Sequence, residues 1–127
     1  MATPSSKKKI RKQFEEGRVY IKARYNNTIV TLADPKGQVL GWSSPGANGF
    51  KGARQSTPYA GQVSAEKVAE MAQNFGMQSV DVYVSGMGPA REQTIRGLMN
   101  GGLEVSTISD VTRVPHGGCR AKRVRKM

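Results

Sequence analysis

The densest chemistry in this chain lies in its last fifteen residues, Arg113 to Met127, which read RVPHGGCRAKRVRKM. Six of them are cations (Arg113, Arg120, Lys122, Arg123, Arg125 and Lys126) and none is acidic. A second run, Lys7, Lys8, Lys9, Arg11 and Lys12, adds five near the other end. Cations gathered without counter-charges neutralise phosphates, and each phosphate neutralised releases a counterion. Pro115, Gly117 and Gly118 deny the C-terminal stretch a regular helix at its start. It reads as an arm that becomes ordered on a polyanion. His116 and Cys119 are three apart, but zinc needs four ligands, or three plus water, and no second pair exists. A Cys–His nucleophile would need a rigid pocket. His116 is read as a residue that stacks or hydrogen-bonds on RNA, and Cys119 as a small packing residue.

Three other constellations invite chemistry. Gly86-Met87-Gly88-Pro89, with Arg91 behind it, resembles an anion-binding turn at a helix N-terminus. It lacks the Lys-Ser/Thr pair of a nucleotide-binding loop, and Arg91 replaces the third glycine of a dinucleotide fingerprint. No cofactor is expected there. A tight strand-to-helix turn and a contact to one phosphate of a larger nucleic acid both remain open. Asp34, Glu66, Asp81 and Asp110 could be imagined as a two-metal nuclease site. Asp34 has an ordinary turn role, Asp81 alternates with apolar residues and points outward, and Glu66 lies on a solvated face. No metal site is expected. The stretch 45–56, PGANGFKGARQS, sets Lys51, Gly52 and Arg54 around Phe50, a flexible basic loop long enough to suggest function.

Regular elements must position these groups. RVYIKAR (18–24) alternates as a half-buried strand. Asn26-Asn27 suits a tight hairpin turn, because Asn tolerates positive φ. TIVTLA (28–33) is a second strand, Asp34-Pro35-Lys36-Gly37 has type I turn chemistry, and QVLGWSS (38–44) is a third strand. Thr57-Pro58 opens a helix to about Phe75, with Val68, Met71, Ala72 and Phe75 on one apolar stripe. SVDVYVS (79–85) is a fourth strand. A second helix runs from Pro89 to about Asn100 with Ile95, Leu98 and Met99 as its apolar side, and LEVSTIS (103–109) is a fifth strand. The expected fold is α/β: a mixed five-stranded sheet, an antiparallel meander followed by strand–helix–strand units, with helices packed on it. Residues 1–17 are a basic flexible leader, 18–110 the domain, and 111–127 a basic RNA-binding tail.

The formal charge is +11. Residues 13–112 hold nine cations and all nine acids, so the ends carry the whole excess. Such a distribution suits nucleic acid. No amphipathic apolar face accompanies the basic runs, which argues against a membrane. No apolar run reaches the ~18 residues of a bilayer span, and MATPSSKKKI lacks a secretory apolar core. One cysteine fits a reducing, cytosolic compartment.

Asn26-Asn27-Thr28, Gly49-Phe50-Lys51-Gly52, Ser56-Thr57-Pro58-Tyr59, and Pro115-His116 with Gly118-Cys119-Arg120 are specific in combination. They resemble the bacterial-type S11 family of small-subunit ribosomal proteins, in order, from about residue 17 to the end. The resemblance implies an α/β fold and a structural, non-enzymatic role on the platform of the small subunit, bound to 16S ribosomal RNA. It also implies a place near the messenger RNA exit and the Shine–Dalgarno helix. Platform proteins S7 and S18 and the site of initiation factor three would be neighbours. Carried onto this chain, Asn26, Asn27, Lys51, Gly52, Arg54, Gly86, Gly88, Arg91 and the tail from Arg113 would face RNA. The chain departs from the family pattern at Gly117, where Asn is usual, at Ala121, where Pro is usual, and at Met87 and Ala90. Two other classes compete: a ribonuclease-like or nucleotide-using enzyme, and an architectural DNA-binding protein.

Overall fold

The computed structural model describes residues 14–49, 51–52 and 57–124. Three antiparallel strands open the chain: β1 (Glu16–Ala23), β2 (Thr28–Ala33) and β3 (Val39–Ser43). After a helix, β4 (Ser79–Ser85) pairs parallel to β1, with Val19 opposite Val82. A second helix leads to β5 (Glu104–Asp110), parallel to β4. The sheet order is β3-β2-β1-β4-β5, five strands in a mixed sheet as the pattern predicts. The alternation has a one-sided cause. Val19, Ile21, Ala23, Val30, Leu32, Val80, Val82 and Val84 are buried on one face, while the residues between them are half-buried or exposed. Fully burying each Val or Ile contributes roughly 1.5–3 kcal/mol, so this row anchors the register.

Two helices cover that apolar face. α1 (Pro58–Asn74) starts as expected: the Thr57 side chain accepts a hydrogen bond from the Ala60 N–H, and Pro58 holds the first position. Val68 and Ala72 are buried; Met71 and Phe75 pack at the margin of the core. α2 (Arg91–Asn100) buries Thr94, Gly97 and Leu98, with Ile95 partly buried and Met99 49% exposed. Met99 therefore does not join the apolar side assigned to it. The two helices meet through small residues. A Cβ on Gly97 would lie 2.7 Å from the Gln62 carbonyl oxygen and 2.9 Å from the Ala65 Cβ.

Four expected boundaries or turn types move, each for a local reason. β1 begins at Glu16, inside the stretch assigned to the leader. The Glu15 carbonyl accepts from Gln78 N–H at 3.0 Å, and the Phe14 N–H donates to the Phe75 carbonyl at 3.0 Å, so pairing starts early. α2 begins at Arg91 and not Pro89, because the Gly88 N–H is held by the Ala23 carbonyl at 2.9 Å. The β1–β2 connection is the four-residue stretch 24–27, and no non-glycine residue described has a positive φ. Asn27 serves through its side chain, whose Oδ1 accepts from the Thr28 N–H at 2.8 Å. The basic loop after β3 begins with a 3-10 turn, Gly46–Asn48, where a fully flexible loop was expected. Asn48 Nδ2 pins it, donating to Ser43 Oγ and the Ser44 carbonyl, both at 3.0 Å.

Candidate nucleic-acid interface

Topology gathers the expected RNA-facing residues at one end of the sheet. β1, β4 and β5 are parallel, and β3 points the same way because it is antiparallel to β2. The stretches that follow these four strands therefore emerge together. They are the hairpin with Asn26 and Asn27, the loop with Lys51 and Gly52, the turn from Gly86 to Arg91, and the tail from Val111. Carboxyl ends of strands are where open α/β sheets commonly bind ligands. Lys51, Gly52, Asn26, Arg113, His116, Arg120, Lys122 and Arg123 are exposed, and Asn27 is half-buried. Lys7, Lys8, Lys9, Arg11, Lys12, Phe50, Arg54, Arg125 and Lys126 lie outside the described residues.

The Gly-Met-Gly-Pro turn is a clamp. A Cβ on Gly86 would sit 2.2 Å from the Ala23 carbonyl oxygen, and one on Gly88 would sit 2.2 Å from that of Arg24. Only glycine allows the two backbones this approach. Both glycine N–H groups are engaged inside the chain: Gly86 donates to Thr112 Oγ1 at 3.0 Å and Gly88 to the Ala23 carbonyl at 2.9 Å. Arg91 donates to the Gly86 carbonyl at 2.8 Å and to Asp110 Oδ2 at 2.7 Å. The Arg91 guanidinium, with the Thr112 hydroxyl and N–H, holds the Asp110 carboxyl well below the usual carboxylate range. The geometry thus favours the tight-turn reading of these two glycines over an anion cradle. The clamp joins the hairpin, α2 and the root of the tail, whose Val111 N–H donates to the Val84 carbonyl at 2.8 Å.

The sequence reading missed the sheet's second face. No helix covers it. Register sets Trp42, Thr31, Tyr20, Tyr83 and Ser109 in one row across the strands. The Tyr20 and Tyr83 rings stack with centroids 5.3 Å apart. Arg18 lies 6.0 Å from the Tyr83 ring centroid and donates to the Tyr20 hydroxyl at 3.3 Å, a bond that stabilises the charged guanidinium. One open groove of about 660 Å³ is lined by Lys22, Arg24, Tyr25, Asn26, Asn27 and Ile29. A second, also about 660 Å³, is lined by Tyr20, Lys22, Arg24, Tyr83, Ser85, Gly86, Val111, Thr112 and Arg113. Neither lining contains a carboxylate. The signal was available in the polar phase of β1, where Arg18, Tyr20, Lys22 and Arg24 alternate with the buried residues.

The imagined metal site does not assemble. Asp34 accepts from the Lys36 and Gln38 N–H groups within its turn, Glu66 pairs with Gln62 on α1, and Asp81 accepts from Thr107 on the open face. Among the described residues no three of His, Cys, Asp and Glu are grouped to hold a metal, and no helix is long and apolar enough to cross a membrane.

A two-layer α/β body with one cation-lined, helix-free face and a basic tail rooted beside it has the build of a protein that rests on a polyanion. Comparison with known proteins identifies the family. The family model described as Ribosomal protein S11 matches residues 17–126. The small ribosomal subunit protein uS11 of Thermus thermophilus is 54% identical over 123 residues, covering 97% of this chain and 95% of its own. Proteins of the same name from Borreliella burgdorferi and Psychromonas ingrahamii are 50% identical (97% of this chain, 95% of its own) and 45% identical (98% of each). The chain belongs to the ribosomal protein S11 family. It is a structural ribosomal protein and not an enzyme.

Proposed function

We propose that the chain is a constituent of the small ribosomal subunit that binds 16S ribosomal RNA on the platform and supports platform assembly. The observation that carries this reading is the convergence of basic and polar groups at one end of the sheet. Lys22, Arg24, Asn26 and Asn27 line a groove there, and Arg113 lines the next, where the tail begins. Lys51 and Gly52 follow from β3, and the tail cations Arg120, Lys122 and Arg123 extend the basic surface, with Arg125 and Lys126 adding charge in the sequence beyond them. The leader run, Lys7 to Lys12, adds five further cations. Phosphate contacts of this kind position a protein without reading sequence. Selectivity comes from the shape of folded RNA, because the A-form major groove is too narrow for side chains. Gly86, Gly88 and Arg91 serve this surface by holding the hairpin and the tail root together.

A position near the messenger RNA exit and the Shine–Dalgarno helix, beside S7 and S18 and close to the initiation factor three site, completes the proposal. It rests on the family resemblance, as does a cytoplasmic location on the ribosome. Co-sedimentation tests it: the native protein travels with small subunits in a sucrose gradient. Deleting residues 113–127 flattens the log–log salt dependence of binding to a folded 16S fragment by roughly 4–5 units, if all six tail cations reach phosphates. An unchanged slope, or a protein found free or only on DNA, refutes it.

A further inference from the structure

The helix-free face of the sheet carries more than charge. Tyr20 and Trp42 stand on the same face, on strands that are not neighbours, with the strand of Thr31 between them. Strands lie about 4.8 Å apart, so Tyr20 and Trp42 are separated by roughly 9.6 Å at their backbones. Bases stack at roughly 3.4 Å, so one base inserted between two flat side chains requires roughly 6.8 Å. Thr31, the residue between them, is half-buried and has the shortest side chain of the three. Trp42 is 56% exposed and Ile29, diagonal to it on β2, is 39% exposed, an exposed apolar cluster of the kind that marks an interaction surface. The cations of this face lie across β2 from Trp42, on and just after β1. Lys22, on β1, and Arg24, just past its end, follow Tyr20 at two-residue steps, about 6.6 Å each where the chain is extended.

We infer that this face is a second RNA contact, in which one unpaired nucleotide of the ribosomal RNA inserts its base between Tyr20 and Trp42 above Thr31. Its flanking phosphates lie on Lys22 and Arg24. The inference rests on the ribosomal RNA-binding reading above and adds a site to it. Charge complementarity selects the occupant: both grooves on this face have cations and no carboxylate in their linings. Duplex RNA has its bases stacked within the helix, whereas loops and bulges offer unstacked bases to aromatic side chains. The Tyr20–Tyr83 stack holds one wall of the slot in place, and Arg18 fixes the Tyr20 hydroxyl from below.

The test uses the full chain in assembled subunits. p-Benzoylphenylalanine replaces Trp42, an exposed position whose side chain is outside the core, and small subunits are collected from a gradient before irradiation. The expected product is a cross-link to an unpaired nucleotide of the ribosomal RNA. A cross-link to protein alone, or none, in subunits that contain the chain overturns the site and leaves the ribosomal reading standing. A wild-type chain absent from the subunits overturns both. Thr31→Phe fills the slot from an outward-facing position. It lowers affinity for a folded 16S fragment by roughly 5- to 150-fold, the range of one lost base stack. Unchanged affinity, with an unchanged circular dichroism spectrum, overturns the inference. Lys22→Gln with Arg24→Gln lowers the salt slope by roughly 1.4–1.8 units, and no change counts equally against it.

Discussion

Replacing Gly86 with Ala tests the clamp that joins the hairpin to the tail. Gly86 has φ +97°, and a Cβ there would lie 2.2 Å from the Ala23 carbonyl oxygen. That oxygen is fixed, because it accepts the Gly88 N–H at 2.9 Å. Two costs add. A non-glycine residue at this φ costs about 1–3 kcal/mol, and the forced displacement of packed backbone about 1–3 kcal/mol more. Gly37 separates them. Its φ is +98°, yet a Cβ there would meet only Arg18 Nη1, at 3.9 Å. Gly37→Ala therefore carries the dihedral cost alone. Urea unfolding of the full chain, followed by circular dichroism, reads both. With a urea slope of about 2 kcal/mol per M, Gly86→Ala lowers the midpoint by about 1–3 M and Gly37→Ala by about 0.5–1.5 M. The comparison is internal, so an error in the dihedral term cancels. Equal midpoint shifts in the two variants would falsify the clamp, since the contact with Ala23 would then cost nothing to break.

Three further substitutions probe individual groups. Thr28 is 1% exposed and its Oγ1 has no hydrogen-bond partner among the described residues; Thr28→Val keeps the shape and is expected to be neutral or stabilising by about 1 kcal/mol in the same unfolding assay. Asn48→Ala frees the 3-10 turn from Ser43 and Ser44, costs about 1–2 kcal/mol, and speeds amide exchange at Ala47 and Gly49. The lowered pKa of Asp110 makes its contribution complete above the ordinary carboxylate range and lost only as pH falls through the folded value. Asp110→Asn is therefore expected to speed exchange of the Gly86 and Val111 amides at neutral pH, and unchanged exchange rates in NMR would sink the idea that this pair anchors the tail.

Local patterns were legible where one face of an element is buried. Val19, Ile21 and Ala23, like Val80, Val82 and Val84, announce strands because their partners in alternation are polar. Thr57-Pro58 announces a helix start because cap and φ preference are properties of two adjacent residues. What stayed hidden is non-local. Nothing in residues 79–85 says that they insert beside β1, and that insertion brings the turn at Gly86 against Ala23. The two glycines were visible, but the carbonyls that fill the space beside them were not, so an anion cradle looked as reasonable as a tight turn. Trp42 falls within the strand expected over residues 38–44, yet its face depends on which side the helices choose. Asn48 sits in a stretch that reads as a flexible loop until Ser43 and Ser44 are placed around its amide.

The equal count of cations and acids in residues 13–112 suggests a body with no attraction for RNA, and the fold changes that conclusion. Net charge governs only if the charges act from one place, and here they are sorted. Lys22 and Arg24 lie at the hairpin end of the open face, whereas the acids on that face, Glu16, Asp81 and Glu104, lie toward its opposite end; Glu70 is exposed late in α1, and Asp110 at the tail root is paired with Arg91. Glu104 begins a seven-residue strand whose far end carries the tail, so it lies about 20 Å from the tail root. At physiological salt the screening length is about 8 Å, so RNA on the open face and at that end feels the cations and little of these acids. Two matched pairs of substitutions decide between sum and arrangement. Glu70→Gln with Glu104→Gln raises the net charge by as much as Lys22→Gln with Arg24→Gln lowers it. If arrangement governs, the first pair leaves affinity for the 16S fragment nearly unchanged, while the second weakens it and flattens its salt dependence. Changes that are equal and opposite would mean that the sorting seen in the fold plays no part in binding.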